Sequence, residues 1–262
     1  RLCARHGDCS MMTRSAKPML RRDLVLASVL ASTALARGAE WVPVDDFPLG
    51  VHDHAMAYDA ARGRVVMFGG SAYPIWHGSG LATRDTWEWD GTTWRRGASA
   101  PAALAARHGH AMAYDSWRSR VVLFGGSPGT AAGALDDTWE YDGRSWIQAP
   151  APPAPAPRWQ HAMCFDAARG RMVLYGGEGV GGGATADTWE YDGSSWQRVA
   201  LSLGGPGPSS GHSMAYDAGR NRSILLGYGG STWEYYGQRW RKGPDGPGVY
   251  PWGGSSMTYD SG

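Results

Sequence analysis

Three features of the 262-residue sequence predict an all-β fold. The same three sequence blocks recur in the same order every fifty residues or so. Glycine pairs and proline runs break any 3.6-residue helical pattern before it can extend. The aromatic residues are lopsided, with 14 Trp and 12 Tyr against 4 Phe, and they sit among 39 Gly and 16 Pro. That composition suits short strands that bury large rings and are joined by sharp turns.

The first block is HAMAYD from His54 and again from His110, HAMCFD from His161 and HSMAYD from His212, with a degraded SSMTYD from Ser255. Its alternation of large and small residues predicts a strand over 110–114 whose small side chains allow close approach on one face. Fifteen residues after each His the chain reaches Gly69-Gly70, Gly125-Gly126, Gly176-Gly177 and, in the fourth copy, Gly227-Tyr228. The run before each pair, such as Val121 to Phe124, is continuously apolar, as in a strand covered on both faces. The third block is DTWEWDGTTW from Asp85, DTWEYDGRSW from Asp137, DTWEYDGSSW from Asp187 and STWEYYGQRW from Ser231. It predicts a strand over 138–141 with Trp139 and Tyr141 on one face, a tight turn at Asp142-Gly143, and a fourth strand opening at Trp146. Four short strands per unit, repeated, predict a β-propeller, because one such sheet cannot bury both its faces and a ring of them can.

These blocks resemble the kelch repeat, in which an apolar strand ends in Gly-Gly and is followed by a Tyr and then a Trp. They resemble in particular the bacterial group related to the central propeller of galactose oxidase. The resemblance covers residues 41–262, and the Tyr-to-Trp gap is one residue shorter than the commonest kelch spacing. The blades are expected over about 52–100, 108–150, 159–201 and 210–243, with a partial fifth from 253. Trp41 to Val44 precede His54 much as Trp94, Trp146, Trp196 and Trp240 precede their next copies, so they are expected to form a lone outer strand. The reading is therefore an incomplete propeller: four full four-stranded blades, an N-terminal outer strand and a C-terminal inner strand.

Residues 1–40 are expected to lie outside the fold. After Met19 come Arg21-Arg22, the thirteen mostly apolar residues Leu24 to Ala36, and a small-residue Ala34-Leu35-Ala36 site. That order matches a secretory signal peptide and predicts export after cleavage near Ala36. Arg21-Arg22 also fits a twin-arginine signal, and a buried N-terminal helix is the structural alternative. Thirteen helical residues span about 20 Å, short of the ~30 Å hydrocarbon core, so no stable membrane span is expected in the mature chain. The whole chain carries 25 Lys+Arg and 24 Asp+Glu; without residues 1–36 the balance is 19 basic to 22 acidic, net −3. Nothing in that charge favours nucleic acid. Three Cys exclude a disulfide scaffold or a Cys-rich zinc module, and Cys164 is expected to fill core.

Comparing the repeats with one another separates scaffold from function. His54, His110, His161 and His212 hold one repeat position, which predicts a structural hydrogen bond to a neighbouring turn rather than a metal ring. Asp115, Arg118 and Arg120, with Asp137 and Glu140 and their equivalents, are expected to make turn and interblade contacts. The loops that follow Gly-Gly and the connections between blades share one face, and residues that vary among repeats gather there. The ligand-binding candidates are Tyr73, Trp76, His77 and Arg84 in blade one, and Arg107 and His108 before blade two. Arg158, Trp159 and Glu178 follow in blade three and Trp252 near the end, with His52, Asp53 and Tyr250 close by. Aromatic rings beside Arg and His suit stacking on a sugar or docking a peptide.

No HExxH, GxSxG or CxxC motif occurs, and the glycine run from Gly179 opens no helix that would make it a phosphate loop. No catalytic residue, metal or cofactor is therefore assigned, and no residue of the galactose oxidase copper site carries over. The expected function is an exported binding module presenting loops to a protein or glycan. The alternatives are a propeller enzyme of galactose-oxidase-like or sugar-mutarotase type, and a structural spacer in a larger surface protein.

Overall fold

The computed structural model describes residues 50–72, 81–129, 133–150, 153–200, 204–246 and 257–258. The expected leader, the strand at 41–44 and nearly all of the partial fifth blade lie outside these residues.

Blade 1 comprises β1 (Val51–His52), β2 (Ala55–Asp59), β3 (Arg64–Phe68), β4 (Ser71–Ala72), β5 (Leu81–Ala82), β6 (Thr86–Trp89) and β7 (Trp94–Arg96). Blade 2 comprises β8 (Ala111–Asp115), β9 (Arg120–Phe124), β10 (Thr138–Tyr141) and β11 (Trp146–Gln148). Blade 3 holds β12 (Arg158–Trp159), β13 (Ala162–Asp166), β14 (Arg171–Tyr175), β15 (Glu178–Gly179), β16 (Thr188–Tyr191) and β17 (Trp196–Arg198). Blade 4 holds β18 (Ser213–Asp217), β19 (Arg222–Leu226), β20 (Thr232–Tyr235) and β21 (Trp240–Lys242). Each blade is one antiparallel four-stranded sheet: β2-β3-β6-β7, β8-β9-β10-β11, β13-β14-β16-β17 and β18-β19-β20-β21. The first strand of each blade lies innermost, β2 packing against β8, β8 against β13 and β13 against β18. Two short ladders at one end of the blades, the three-stranded β1-β4-β5 and the two-stranded β12-β15, extend the loops that follow the Gly-Gly steps. The protein is thus an all-β, blade-built propeller.

The seams between blades repeat one set of contacts. The Trp that opens each outer strand donates its indole N–H to a Thr of the preceding blade: Trp146 to Thr86 at 2.9 Å, Trp196 to Thr138 at 2.8 Å, Trp240 to Thr188 at 2.9 Å. Each of these rings also packs on an aromatic ring of the preceding blade, Phe68, Phe124 and Tyr175, with centroids 5.0–5.1 Å apart. The Tyr of each third strand donates to a Glu one blade back, Tyr141 to Glu88, Tyr191 to Glu140 and Tyr235 to Glu190. Burying rings of this size stabilises each seam by several kcal/mol at ~25 cal/mol/Å². The Thr and Glu partners keep the buried polar atoms satisfied, which is what confines each ring to one pose.

The turn glycine has a specific cause at Gly143. Arg62 of blade 1 binds Asp59 at 2.6 Å and Glu88 at 2.7 Å, and its guanidinium lies 5.4 Å from the Tyr141 ring centroid in blade 2. Gly143 has φ +88°, and a Cβ there would fall 2.5 Å from that guanidinium. Both the backbone and the arginine of the preceding blade therefore require glycine. Blade 4 differs at its far side: Ile224, Leu226 and Thr232 are half-buried, whereas Val66, Phe68 and Thr86 of blade 1 are buried under blade 2.

Candidate functional site

The residue before each repeat histidine, two before the inner strand, forms a belt around one end of the axis. Asp53, Gly109, Gln160 and Gly211 all have left-handed backbones, with φ of +55°, +63°, +53° and +68°. The Gly109 N–H donates to Asp53 O at 2.8 Å, the Gln160 N–H to Gly109 O at 2.7 Å and the Gly211 N–H to Gln160 O at 2.8 Å. Two of the four positions keep a side chain despite the ~1–3 kcal/mol cost of that conformation. Positive φ alone does not mark a site, since Ser119 and Asn221 adopt it in the hairpin turns where blades 1 and 3 have Gly63 and Gly170.

Around this belt the sequence-variable residues of blades 1 to 3 meet. The His52 Nδ1 lies 2.9 Å from Asp53 Oδ2, and both side chains are partly open to solvent. His108 is fixed by backbone hydrogen bonds in both directions with Ser127, at 2.9 and 2.8 Å. Its ring stands edge-on to Trp159, centroids 5.8 Å apart at 84°. Trp159 lies along the belt, so that a Cβ on Gly109 would sit 3.5 Å from the indole Cε3, and its backbone pairs with Glu178. Burial pulls the His108 pKa below its usual value; Asp53 pulls it back up and His52 lowers it further. The charges of His52 and Asp53 thus reach His108. The Nδ1 of His108 is buried and has no hydrogen-bond partner among the described residues.

Of the residues singled out from sequence, the structure brings His108 and Trp159 together with His52 and Asp53, whereas Glu178 pairs with Trp159 through its backbone and turns its carboxylate toward Gly182. Arg84 is exposed on the connection between β5 and β6. Tyr73, Trp76, His77, Tyr250 and Trp252 lie outside the described residues. Arg107 and Arg158 require correction as ligand-binding candidates, because their side chains are 0% and 1% exposed. Arg107 makes two bonds to Asp137, at 2.6 and 2.8 Å, and one to Gly125 O at 2.9 Å. Arg158 does the same with Asp187, at 2.7 and 2.8 Å, and with Gly176 O at 2.9 Å. Their own backbone carbonyls accept from Gly70 and Gly126 of the preceding blade, so each arginine locks a seam. The signal for this was present: both stand three residues before the repeat histidine, and blade 4, with Ser209 there, also has Ser231 in place of the Asp.

Three of the four repeat histidines are shown in seams, and all four are part of the scaffold. His110, His161 and His212 pack edge-on against Phe68, Phe124 and Tyr175 of the preceding blade at 5.5–5.7 Å. The His212 Nε2 is 3.0 Å from Tyr175 O, so the partner is a strand carbonyl rather than the turn expected from sequence. Burial depresses all their pKa values, to about 3 for His161 and about 4 for His212. Among the described residues no three His, Cys, Asp or Glu side chains are placed to hold a metal ion. Cys164 is buried in β13, and burial pushes its thiol up to about 12, which leaves it an unreactive core residue.

An indole flank, two imidazoles and a carboxylate at one mouth form a surface that can stack on a ring and exchange hydrogen bonds with it. The fold and this mouth define a β-propeller with a candidate binding end. Many solved structures match the chain. One is the structure of YjhT, a kelch-like β-propeller-type protein, with a TM-score of 0.66 over 86% of this chain and 79% of that one, at 15% identity. That likeness concerns the fold. No family model and no curated protein matches the chain. Among the described residues no helix is long and apolar enough to cross a membrane.

Proposed function

We propose that the protein is an exported, kelch-type propeller whose work is recognition: it holds a glycan or a peptide at the mouth of blades 1 to 3. One observation supports this above the others. Residues that every blade needs are consumed in the seams, whereas the two positions before the repeat histidine vary along the chain, from His52-Asp53 and His108-Gly109 to Trp159-Gln160 and Ser210-Gly211. Those of blades 1 to 3 adjoin one another on the belt. Export rests on the order of charge, apolar run and small residues between Met19 and Ala36.

The binding reading is tested by screening the purified protein against glycan and peptide arrays, then measuring the best ligand by calorimetry. Trp159→Ala is expected to weaken binding at least tenfold. Trp117→Ala serves as the control, because Trp117 is 63% exposed on a hairpin turn between β8 and β9, away from the belt. Equal binding by wild type and Trp159→Ala would remove the mouth from consideration. Export is checked by N-terminal sequencing of the protein recovered outside the cytoplasm, with Arg37 expected first.

A further inference from the structure

Resting on that reading, we infer that the mouth takes an uncharged sugar ring, stacked on Trp159 with hydroxyls directed at His108, Asp53 and Gln160. The first argument is charge. The two arginines beside the mouth, Arg107 and Arg158, are buried and doubly bonded to Asp137 and Asp187, so neither has a fork left for a ligand carboxylate or phosphate. Among the described residues, the ionisable side chains placed at the belt are the Asp53 carboxylate and the imidazoles of His52 and His108. An anionic ligand would face the Asp53 carboxylate there without a dedicated cationic partner, and such a juxtaposition works against binding.

The second argument is hydrogen-bond chemistry. The buried Nδ1 of His108 lacks a partner among the described residues, and a buried unpaired nitrogen is costly. A neutral imidazole nitrogen either donates or accepts, depending on the tautomer. A hydroxyl can answer both states, whereas a carboxylate can only accept. Asp53 accepts from hydroxyls, and the Gln160 amide does both. Trp159 adds an apolar plane of the kind that covers the C–H face of a pyranose. The hydrogen-bonded belt fixes the backbone of Asp53 and Gln160, and His52 holds the Asp53 carboxylate at 2.9 Å, before a ligand arrives.

The test uses the full chain and two panels of oligosaccharides. One panel is neutral, built from glucose, galactose, mannose and N-acetylglucosamine; the other is acidic and contains hexuronate residues. Titrations are run at 50 and 500 mM NaCl. The expected result is binding of a neutral probe whose affinity changes less than twofold with salt. It should fall at least tenfold in Trp159→Ala and three- to tenfold in His108→Phe, and stay unchanged in Trp117→Ala. Preference for the acidic panel, with affinity that drops with salt and with Trp159→Ala, overturns the inference yet leaves the mouth as the binding end. Binding of peptide alone, or of no saccharide at all, overturns it likewise. Saccharide binding untouched by Trp159→Ala instead refutes the proposed location.

Discussion

Trp146 of blade 2 donates its indole N–H to the Thr86 hydroxyl of blade 1 across 2.9 Å, and its ring lies 4.8 Å from Tyr141, whose own hydroxyl reaches Glu88. The pair of rings and the pair of acceptors make each seam a lock with two keys. Trp146→Ala is expected to destabilise the protein by about 3–5 kcal/mol, the usual cost of emptying a large aromatic site. Thr86→Val, which keeps the shape and orphans the indole N–H, should cost about 1–3 kcal/mol. Urea unfolding followed by tryptophan fluorescence gives both values.

Arg107 and Asp137 should behave as a unit. Arg107→Ser or Asp137→Ser alone leaves a buried charge unpaired and is expected to cost about 3–5 kcal/mol. The double variant reproduces the two serines that blade 4 carries at these positions. It should cost clearly less than the sum of the singles. A double-mutant cycle from urea midpoints measures the coupling, and an additive result would mean the two side chains do not share an interaction.

Acid should loosen the seams. His161 is buried between blades and faces Arg158, His212, Asp187 and the Phe124 carbonyl; burial, then the Arg158 charge, hold its pKa near 3. His110, facing Arg107, His161, His54 and His108, is depressed for the same reasons. The unfolded chain protonates these imidazoles near 6.5, so it binds more protons than the folded one at any pH between there and the folded values. Stability is therefore full above about pH 6.5 and falls as pH drops through that window, by roughly 1.4 kcal/mol per pH unit for each buried histidine. Replacing His161 with Gln should flatten the slope of stability against pH between 6 and 4 by about one histidine's share. An unchanged slope would show that other groups govern acid unfolding.

Gly143→Ala combines a positive φ with a clash against the Arg62 guanidinium. It should cost about 1–3 kcal/mol. Gly91 has φ +97° but nothing within 4 Å of a Cβ, so Gly91→Ala should cost less. Thermal melts of the two variants side by side check the difference.

The fold was legible because each repeat states the same physics again: an apolar second strand, a Gly-Gly step, and a Trp that reappears at fixed spacing. The strand expected over 110–114 appears as Ala111–Asp115, and that over 121–124 starts one residue earlier, at Arg120. The mouth was legible in part. His108 and Trp159 stood out as repeat-variable, and they do meet. Arg107 and Arg158 were misread because an arginine in a connection looks solvent-bound until its aspartate, 30 or 29 residues later, is paired with it. Asp53 and Gln160 carried no signal as a pair, since the belt that joins them is made of backbone hydrogen bonds.

The most direct measurement is an experimental structure of the chain at a resolution that shows the indole nitrogens. It should show the strands opening at Ala55, Ala111, Ala162 and Ser213 side by side about one axis, with Trp146, Trp196 and Trp240 bonded to Thr86, Thr138 and Thr188. Sheets piled in a straight line, or indoles turned away from those threonines, would contradict the propeller and with it the binding mouth at its end.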